Sequence, residues 1–429
     1  MTAMRRGACP SLSAPMPTGD GLLVRLNPRD SALSPRQLGE LARAAARFGN
    51  GMLEITSKGS LQIRGLTVAS APELAMFVDG LGIDARVGVP VETAPLAGLD
   101  PEEIADPRPL AEAIRARIEQ SGLTARLGPK VSVVVDGGGR SMLGGVKADV
   151  GLTAKRGAGR DGDGANRWRL ALGGDAAGAT LVATIDEAVA CDAVLEKLAQ
   201  IAALGRTARG RDLLQHIETS HSLAPPSGAQ AQTSEVSSIR GDERTRTTLP
   251  FGTPLPLADS RLALRIALPF GAIDAATLAA FADTLATIGI DNLRLSPDRS
   301  LLLLCANAAT AAAAKALADT THQLITDTTD PRLAIVACAG APACASGHFA
   351  TRAYADDIAH EAAALLAPGA KLHLSGCDKR CAEPAGPSIA IIGRQDGCAI
   401  VANGTSVPPA LREYLARRGL LGAHDRRAS

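Results

Sequence analysis

Hydrophobic and polar positions follow the same order twice along the chain. When the sequence is shifted by 240 positions, residues 22–63 align with residues 262–303 without a gap. In each copy a short strand with an arginine precedes an amphipathic helix that ends at a glycine, and an alternating strand follows, at 52–63 and 292–303. Two unrelated amphipathic helices could look alike by chance, but the matched arginines, helix caps and glycines favour duplication. The pattern predicts two strand–helix–strand units.

A longer segment follows each repeat, and its apolar runs predict further strands and helices. The predicted elements are a helix at 110–120, a strand at 130–135 and a glycine turn at 137–139 in the first segment, then strands at 332–337 and 371–374, a helix at 349–366 and a hairpin formed by 388–393 and 398–402 in the second. Between the halves, residues 222–248 are rich in Ser, Ala, Pro, Gln and Thr, which is typical of a linker or mobile loop. The whole pattern predicts an α+β fold.

Four cysteines follow two of the predicted strands of the second half. Cys338 and Cys344 have five residues between them, and Cys377 and Cys381 have three. Because both pairs lie on short loops just past strand ends, we expect them to converge. Four converging thiolates form a site for a metal ion or an iron–sulfur cluster, and a cubane cluster needs one thiolate for each iron.

A zinc site and a purely structural role are the alternatives to a cluster for these cysteines. A structural zinc ion is usually held by pairs with about two to four residues between the ligands, which fits the first pair poorly. Buried cysteines can also act as small hydrophobic side chains, but such residues have no reason to cluster with glycine and proline. The remaining cysteines, Cys9, Cys191, Cys305 and Cys398, stand alone and are expected to be of this structural kind.

Composition and charge exclude several classes of function. Aromatic residues make up 2% of the chain and the net charge is +1, so neither base stacking nor a strong positive field is available to bind nucleic acid. Hydrophobic residues make up 46%, yet no apolar stretch is long enough for a membrane helix. With eight cysteines and no signal-like segment, we expect a cytoplasmic protein with reduced thiols.

Together these features resemble the sirohaem-type nitrite and sulfite reductase superfamily, and within it the precorrin-3B synthase family. The resemblance rests on the opening segment, which contains Arg-Gly-Ala-Cys-Pro at 6–10, Pro-Met at 15–16 and Thr-Gly-Asp-Gly at 18–21. It rests also on the Thr-Ser-Lys-Gly-Ser segment after the first helix and on both cysteine motifs. Glu54 and Gly59 stand where the reductases commonly have Arg and Gln, and Ser132 replaces the second lysine of their Lys-x-Lys strand. Lys379, between the cysteines of the second pair, matches the synthase pattern instead.

The resemblance implies a duplicated nitrite/sulfite reductase-like architecture, in which a ferredoxin-like half-domain and a larger α+β domain each occur twice. The implied boundaries are 1–90 for the first half-domain, 91–217 for the first larger domain, 218–250 for the linker or mobile loop, 251–325 for the second half-domain and 326–429 for the second larger domain, which carries the cluster.

The resemblance also implies an oxygen-dependent monooxygenase of aerobic cobalamin biosynthesis. It would convert precorrin-3A to precorrin-3B by hydroxylation at carbon 20 and formation of a γ-lactone. Cys338, Cys344, Cys377 and Cys381 would hold a [4Fe–4S] cluster, with Cys381 in the place of the ligand that bridges to sirohaem in the reductases. Dioxygen and an external electron donor would be the other partners, and a mononuclear non-haem iron is a further candidate cofactor without identifiable ligands.

Tetrapyrroles of this kind carry eight carboxylates, so a ring of cations is expected around the substrate. The candidate substrate-binding residues are Lys58, Arg64, Lys130, Arg140, Lys147, Arg294, Arg299 and Lys379. Each one alone is better explained as a solvated or structural charge, but the set shares a placement on strand ends and glycine loops. His348 and His373, beside the cysteine motifs, could hydrogen-bond to cluster sulfur, ligate a mononuclear iron or serve a structural polar role.

Two other functions stay open at this point. A sirohaem-dependent sulfite or nitrite reductase would show sirohaem absorbance and would act on inorganic anions. A non-catalytic tetrapyrrole-binding protein with a structural four-cysteine metal site would show no turnover with oxygen.

Overall fold

The computed structural model describes residues 10–140, 143–157, 166–221, 249–384 and 386–422. Cys9 and most of the predicted 218–250 linker lie outside these residues. Of the helices described, none is long and apolar enough to cross a membrane.

The first repeat forms an antiparallel sheet with helices packed against it. Its elements are β1 (Met16–Thr18), β2 (Gly21–Leu26), β3 (Ala32–Leu33), α1 (Pro35–Phe48), β4 (Met52–Ile55), β5 (Leu61–Leu66) and α2 (Ser70–Gly80). The Gln37 N–H donates to the Ser34 hydroxyl, and the Ser34 N–H donates to the Gln37 side chain, which fixes the start of α1. Leu38 and Leu41 on its inner face are fully buried.

The prediction of a single strand over 52–63 is wrong, because the structure has a hairpin there. Strand β4 ends at Ile55 and β5 begins at Leu61, and the two pair antiparallel across a turn. Gly59 adopts a φ of 78° in this turn, a conformation that favours glycine. The Ser-Lys-Gly sequence is a turn signal that the alternation of apolar residues on either side conceals.

The first larger domain is built on a mixed sheet. Its elements are β6 (Val91–Glu92), α3 (Arg108–Gln120), α4 (Leu123–Arg126), β7 (Val133–Asp136), β8 (Ala148–Lys155), β9 (Arg167–Gly174), β10 (Thr180–Asp186), α5 (Glu187–Ala203) and α6 (Gly210–His221). The strand order is β10-β9-β8-β7-β6, with β6, β7 and β8 parallel and the other neighbours antiparallel. The predicted helix at 110–120 corresponds to α3, and the predicted glycine turn follows β7.

The second repeat has the same elements as the first. They are β11 (Leu255–Pro256), β12 (Leu262–Ala267), β13 (Ala272–Asp274), α7 (Ala275–Thr287), β14 (Asn292–Ser296), β15 (Ser300–Cys305) and α8 (Ala308–Asp319). Asp274 caps α7, at the position equivalent to Ser34. The prediction of a single strand over 292–303 is also wrong, because β14 and β15 pair antiparallel across a Pro-Asp-Arg turn that contains no glycine.

The two repeats exchange one strand each. The first sheet has the order β1-β2-β5-β4-β13 and the second the order β11-β12-β15-β14-β3, so each sheet is completed by a strand of the other repeat. Helices α1 and α7 pack together, and Arg43 forms a 3.0 Å ion pair with Asp283, its equivalent position in the second repeat. One hydrophobic core therefore serves both repeats.

The second larger domain repeats the sheet of the first. Its elements are β16 (Ile335–Ala337), α9 (Thr351–Ala362), β17 (Lys371–Ser375), β18 (Ser388–Arg394), β19 (Gly397–Asn403) and α10 (Pro409–Arg417). The order β16-β17-β18-β19, with three parallel strands and one antiparallel strand, matches β6-β7-β8-β9. Duplication therefore extends beyond the aligned repeats, while the exact domain boundaries stay a prediction.

Candidate functional site

Both cysteine pairs lie on loops at the carboxyl ends of neighbouring parallel strands. Cys338 follows β16, and Cys377 follows β17, which pairs in parallel with β16. The Cys338 N–H donates to the Leu374 carbonyl oxygen at 3.1 Å, so the hydrogen-bond ladder continues into the first loop. Because parallel strands end at the same edge of a sheet, the two loops converge.

The two loops pack backbone against backbone. A Cβ atom on Gly376 would lie 2.9 Å from the Cα atom of Gly340, closer than real Cβ atoms approach. The Gly376 N–H donates to the Sγ atom of Cys338 at 3.1 Å, and the His348 N–H donates to the Gly376 carbonyl oxygen at 2.7 Å. Glycine at position 376 therefore lets the second loop reach the first and directs a backbone donor at a thiol.

The four thiol groups influence one another electrostatically. The pKa of Cys381 is raised by burial and then by the negative charge of Cys377, Cys338 and Cys344. Yet no group of three or more His, Cys, Asp or Glu side chains in the described part of the chain is arranged to hold a single metal ion. Four thiolates on two converging loops are the donors that a cubane cluster needs, one for each iron. The spacing of five residues within the first pair suits a zinc ion less well, so the donor set fits a [4Fe–4S] group better.

A buried charge network joins the first repeat to the first cysteine loop. Arg64 donates from Nε and Nη2 to the Asp20 carboxylate at 3.0 Å each, and from Nη2 to the Ala343 carbonyl oxygen at 2.6 Å. Glu54 lies 3.5 Å from the Arg64 Nε atom and 2.5 Å from the Arg352 Nη2 atom on α9. Glu54 and Arg64 are 7% and 4% exposed. Arg64 is therefore held in place at the cysteine loop, and its role in substrate binding stays a prediction.

The opening turn of the first repeat also touches this loop. A Cβ atom on Gly19 would lie 2.4 Å from the Pro342 carbonyl oxygen and 2.9 Å from the backbone carbon of Cys344. Glycine is needed for this close approach. Asp20 follows directly, and it and Arg352 are neighbours of the site that sequence reasoning missed. Asp20 belongs to the opening segment that carries the family resemblance, which was the one available signal.

Arg299 is a cation beside the cysteines. It occupies the position equivalent to Gly59, yet it keeps the left-handed backbone conformation with a φ of 61°. Burial lowers the pKa of Arg299, and the charges near it include Glu54 and Cys338. Within the described residues its guanidinium makes no hydrogen bond or ion pair. A non-glycine residue in this conformation is strained, and strain of this kind concentrates at functional sites.

Three of the predicted lysines contact other loops. The Lys379 Nζ atom donates to the Ser346 hydroxyl at 2.8 Å, between the two cysteine loops. Lys58 donates to the carbonyl oxygen of Lys147 at 3.2 Å, so the structure brings this pair together. Lys379 therefore lies beside the cysteines, while Lys58 and Lys147 join the first repeat to the segment before β8.

The remaining three candidates lie on other elements than the cysteine loops. Arg140 pairs with Asp100 at 3.1 Å in the first larger domain, and Arg294 donates to the Asp30 carbonyl oxygen at 2.6 Å. Lys130 is exposed before β7. These contacts hold Arg140 and Arg294 in place, and a role of the three residues in substrate binding stays a prediction.

A small cleft adjoins the turn that contains Gly59. It has a volume of about 50 Å³ and is lined by Lys58, Arg86, Arg115 and Glu92, among others. Burial raises the pKa of Glu92 despite these three cations. This volume accepts a carboxylate group or a few water molecules, but not a macrocycle. Sequence reasoning missed Arg86, Arg115 and Glu92, because they come from a loop, a helix and a short strand that only the fold brings together.

The comparisons with known proteins agree with the fold. Residues 14–75 match the nitrite/sulfite reductase ferredoxin-like half domain. The NirA protein of Mycobacterium tuberculosis has a similar structure, with a TM-score of 0.65 and 20% identity, over 89% of this chain and 73% of that one. At this identity the likeness shows the fold alone.

Similarity in sequence to known proteins identifies the family of the chain. The assimilatory ferredoxin-dependent nitrite reductase of Haloferax mediterranei is 23% identical, over 27% of this chain and 22% of the relative. A precorrin-3B synthase of a Sinorhizobium species is 39% identical over 407 residues, which are 95% of this chain and 84% of the relative. The chain therefore belongs to the precorrin-3B synthase family, within the nitrite and sulfite reductase superfamily.

Proposed function

We propose that the protein is an oxygen-dependent monooxygenase that converts precorrin-3A to precorrin-3B. Family membership makes it an enzyme of cobalamin biosynthesis. In the proposed reaction a hydroxyl group is added at carbon 20 and a ring acetate closes to a γ-lactone. One oxygen atom of dioxygen enters the product and the other leaves as water, which requires two electrons and two protons from outside the substrate.

The observation that carries the proposal is the convergence of the two cysteine loops beside a set of buried cations. Cys338, Cys344, Cys377 and Cys381 would hold the [4Fe–4S] cluster. A bound cluster would supply single electrons, which dioxygen needs in order to react with a closed-shell organic molecule. An external carrier would deliver these electrons. A mononuclear non-haem iron stays a candidate only, and the sirohaem of the reductases would belong to the alternative function.

The chain's own residues would bind and orient the substrate carboxylates. Arg299 would pair with one carboxylate, because its guanidinium has no partner among the described residues and lies near Cys338. The cleft at Lys58 would take a second side arm, since its volume suits one carboxylate. Glu92 lines the same cleft, and burial raises its pKa. Lys379 would contribute from the second cysteine loop.

The departures from the reductases fit this proposal. Glu54, where the reductases commonly have a cation, is paired with Arg352 and Arg64 and so offers no site for an inorganic anion. A cytoplasmic location is also part of the proposal. All seven cysteines in the described ranges are free thiols, as expected in a reducing compartment.

The proposal is tested on protein purified anaerobically. Iron, acid-labile sulfide and zinc are assayed, and absorption and reduced EPR spectra are recorded. We expect a cluster signal without a sirohaem band, followed by oxygen-dependent turnover of precorrin-3A with one ¹⁸O atom incorporated from labelled dioxygen. A sirohaem band with sulfite or nitrite reduction would support the reductase instead, and zinc alone without turnover would support the non-catalytic protein.

A further inference from the structure

His373 is a polar residue in the middle of a buried strand. It lies on β17 between Leu372 and Leu374, which point into the core of the second larger domain. The imidazole of His373 points to the opposite face, since side chains alternate along a strand, and it is 0% exposed. A histidine that is fully withdrawn from water needs partners for its ring nitrogens.

Strand register puts this histidine on the face that carries the first cysteine. Val336 pairs with His373 in the parallel ladder of β16 and β17, so both side chains lie on one face of the sheet. Cys338 is two residues further along and shares that face, because the ladder continues through its N–H. From strand spacing and rise, the Cα atoms of His373 and Cys338 are about 8 Å apart, within reach of an imidazole and a thiolate-bound group.

Neither ring nitrogen of His373 has a hydrogen-bond partner among the described residues. The two polar residues on either side of His373 on this face both have hydrogen-bond partners. Lys371 donates to the Leu333 carbonyl oxygen and Ser375 donates to the Cys377 carbonyl oxygen, both at 2.8 Å. The charged groups near His373 are Arg299 and Arg380, which are donors only. Burial and these two cations lower the pKa of His373 to about 4. Whichever nitrogen carries the proton, a neutral imidazole still has one N–H to donate.

We propose that His373 donates this N–H hydrogen bond to a sulfur atom of the cluster held by the four cysteines. The inference rests on the proposed function, because it takes the cluster as given and adds a residue that tunes it. A cluster with four thiolate ligands is negatively charged, and a donor at sulfur stabilises the reduced form more than the oxidised form. His373 is therefore a positioning and tuning residue that raises the reduction potential.

The test measures the potential of the cluster in His373→Leu and His373→Gln by EPR-monitored redox titration. Leu removes the donor, whereas Gln keeps one N–H of similar reach. His360→Leu on the exposed face of α9 serves as a control for loss of a histidine. We expect His373→Leu to favour the oxidised cluster about tenfold, which is about 59 mV lower for a one-electron couple. His373→Gln and His360→Leu should stay close to the unchanged protein.

A second measurement covers the case in which His373→Leu fails to assemble a cluster. The unchanged protein is labelled with ¹⁵N-histidine, and HYSCORE spectra of the reduced cluster are recorded. A weak ¹⁵N coupling that His373→Gln abolishes supports the inference, and its absence overturns it. An unchanged potential in cluster-containing His373→Leu also overturns it, while the proposed function stands. A protein without any cluster would overturn both.

Discussion

The buried pairing of Glu54 with Arg352 links the two halves of the chain, and a charge-removing substitution tests it. Glu54→Gln keeps the shape of the side chain and its contact with Gln62, but it removes the negative charge between Arg352 and Arg64. Removing one partner of a buried ion pair costs about 3–5 kcal/mol. Arg64 keeps its two hydrogen bonds to Asp20, and Arg352 is partly exposed. We therefore expect Glu54→Gln to lower the free energy of unfolding by about 3 kcal/mol, the low end of this range.

The assay is urea unfolding followed by circular dichroism. With a slope of at least about 3 kcal/mol per molar urea for a chain of this size, the midpoint of Glu54→Gln should fall by up to about 1 M. Glu73→Gln on α2 makes the same chemical change at an exposed position and should change the free energy of unfolding by less than about 0.5 kcal/mol.

A double-mutant cycle isolates the pair itself. Arg352→Gln removes the other partner, and Glu54→Gln with Arg352→Gln removes both. Substitutions of two residues in contact usually show an interaction energy of about 0.5–3 kcal/mol. The loss in free energy of unfolding in the double variant should therefore be smaller than the sum of the losses in the two single variants. Full additivity would show that the Glu54–Arg352 contact contributes nothing, and the reasoning on this link would be refuted.

Three further predictions concern the site and its surroundings. Cys381→Ser should lose the cluster or its normal EPR spectrum, and an unchanged signal would contradict the ligand assignment. Arg299→Gly places glycine in the left-handed backbone conformation, as at Gly59, so the thermal unfolding midpoint should stay the same or rise. The variant also loses the guanidinium that would pair with a substrate carboxylate, so the KM for precorrin-3A should rise at least about tenfold. An unchanged KM would show that Arg299 does not bind the substrate. The pKa of Glu103 is raised from 4.5 to about 8, mainly by burial. The folded chain keeps this proton and the unfolded chain releases it, so stability falls as pH rises from 4.5 to about 8, by at most about 1.4 kcal/mol per pH unit. Glu103→Gln should therefore gain stability over the unchanged protein across that window, and equal pH profiles in urea unfolding would count against it.

Local sequence signals predicted much of the scaffold. Ser34 and Asp274 cap their helices as expected, since a cap depends on residues three positions away. The cysteine loops follow β16 and β17, as predicted, because the end of each apolar run in the sequence indicated where its strand ends. The hairpin turns at Gly59 and its equivalent were missed, because alternation continues on both sides of the turn and conceals it.

The charges of the site were less predictable because their partners are distant in the chain. Arg64, a predicted substrate-binding residue, pairs with Asp20, 44 positions away. Glu54 and Arg352 are 298 positions apart. Nothing in the local sequence of any of these residues indicates its partner, which only the packing of one half on the other supplies. The surroundings of Arg299 are likewise visible only in three dimensions.

The exchange of β3 and β13 has a consequence for the origin of the chain. Each donated strand covers the edge of a sheet that would otherwise present unpaired backbone groups to other molecules. A single half could close its sheet only by taking a strand from a second copy, as in a symmetric homodimer. Fusion of two such halves replaces an association between molecules by one within a chain. It also frees one half from keeping the cysteines, so the two halves can diverge in chemistry while each still supplies a strand to the sheet of the other.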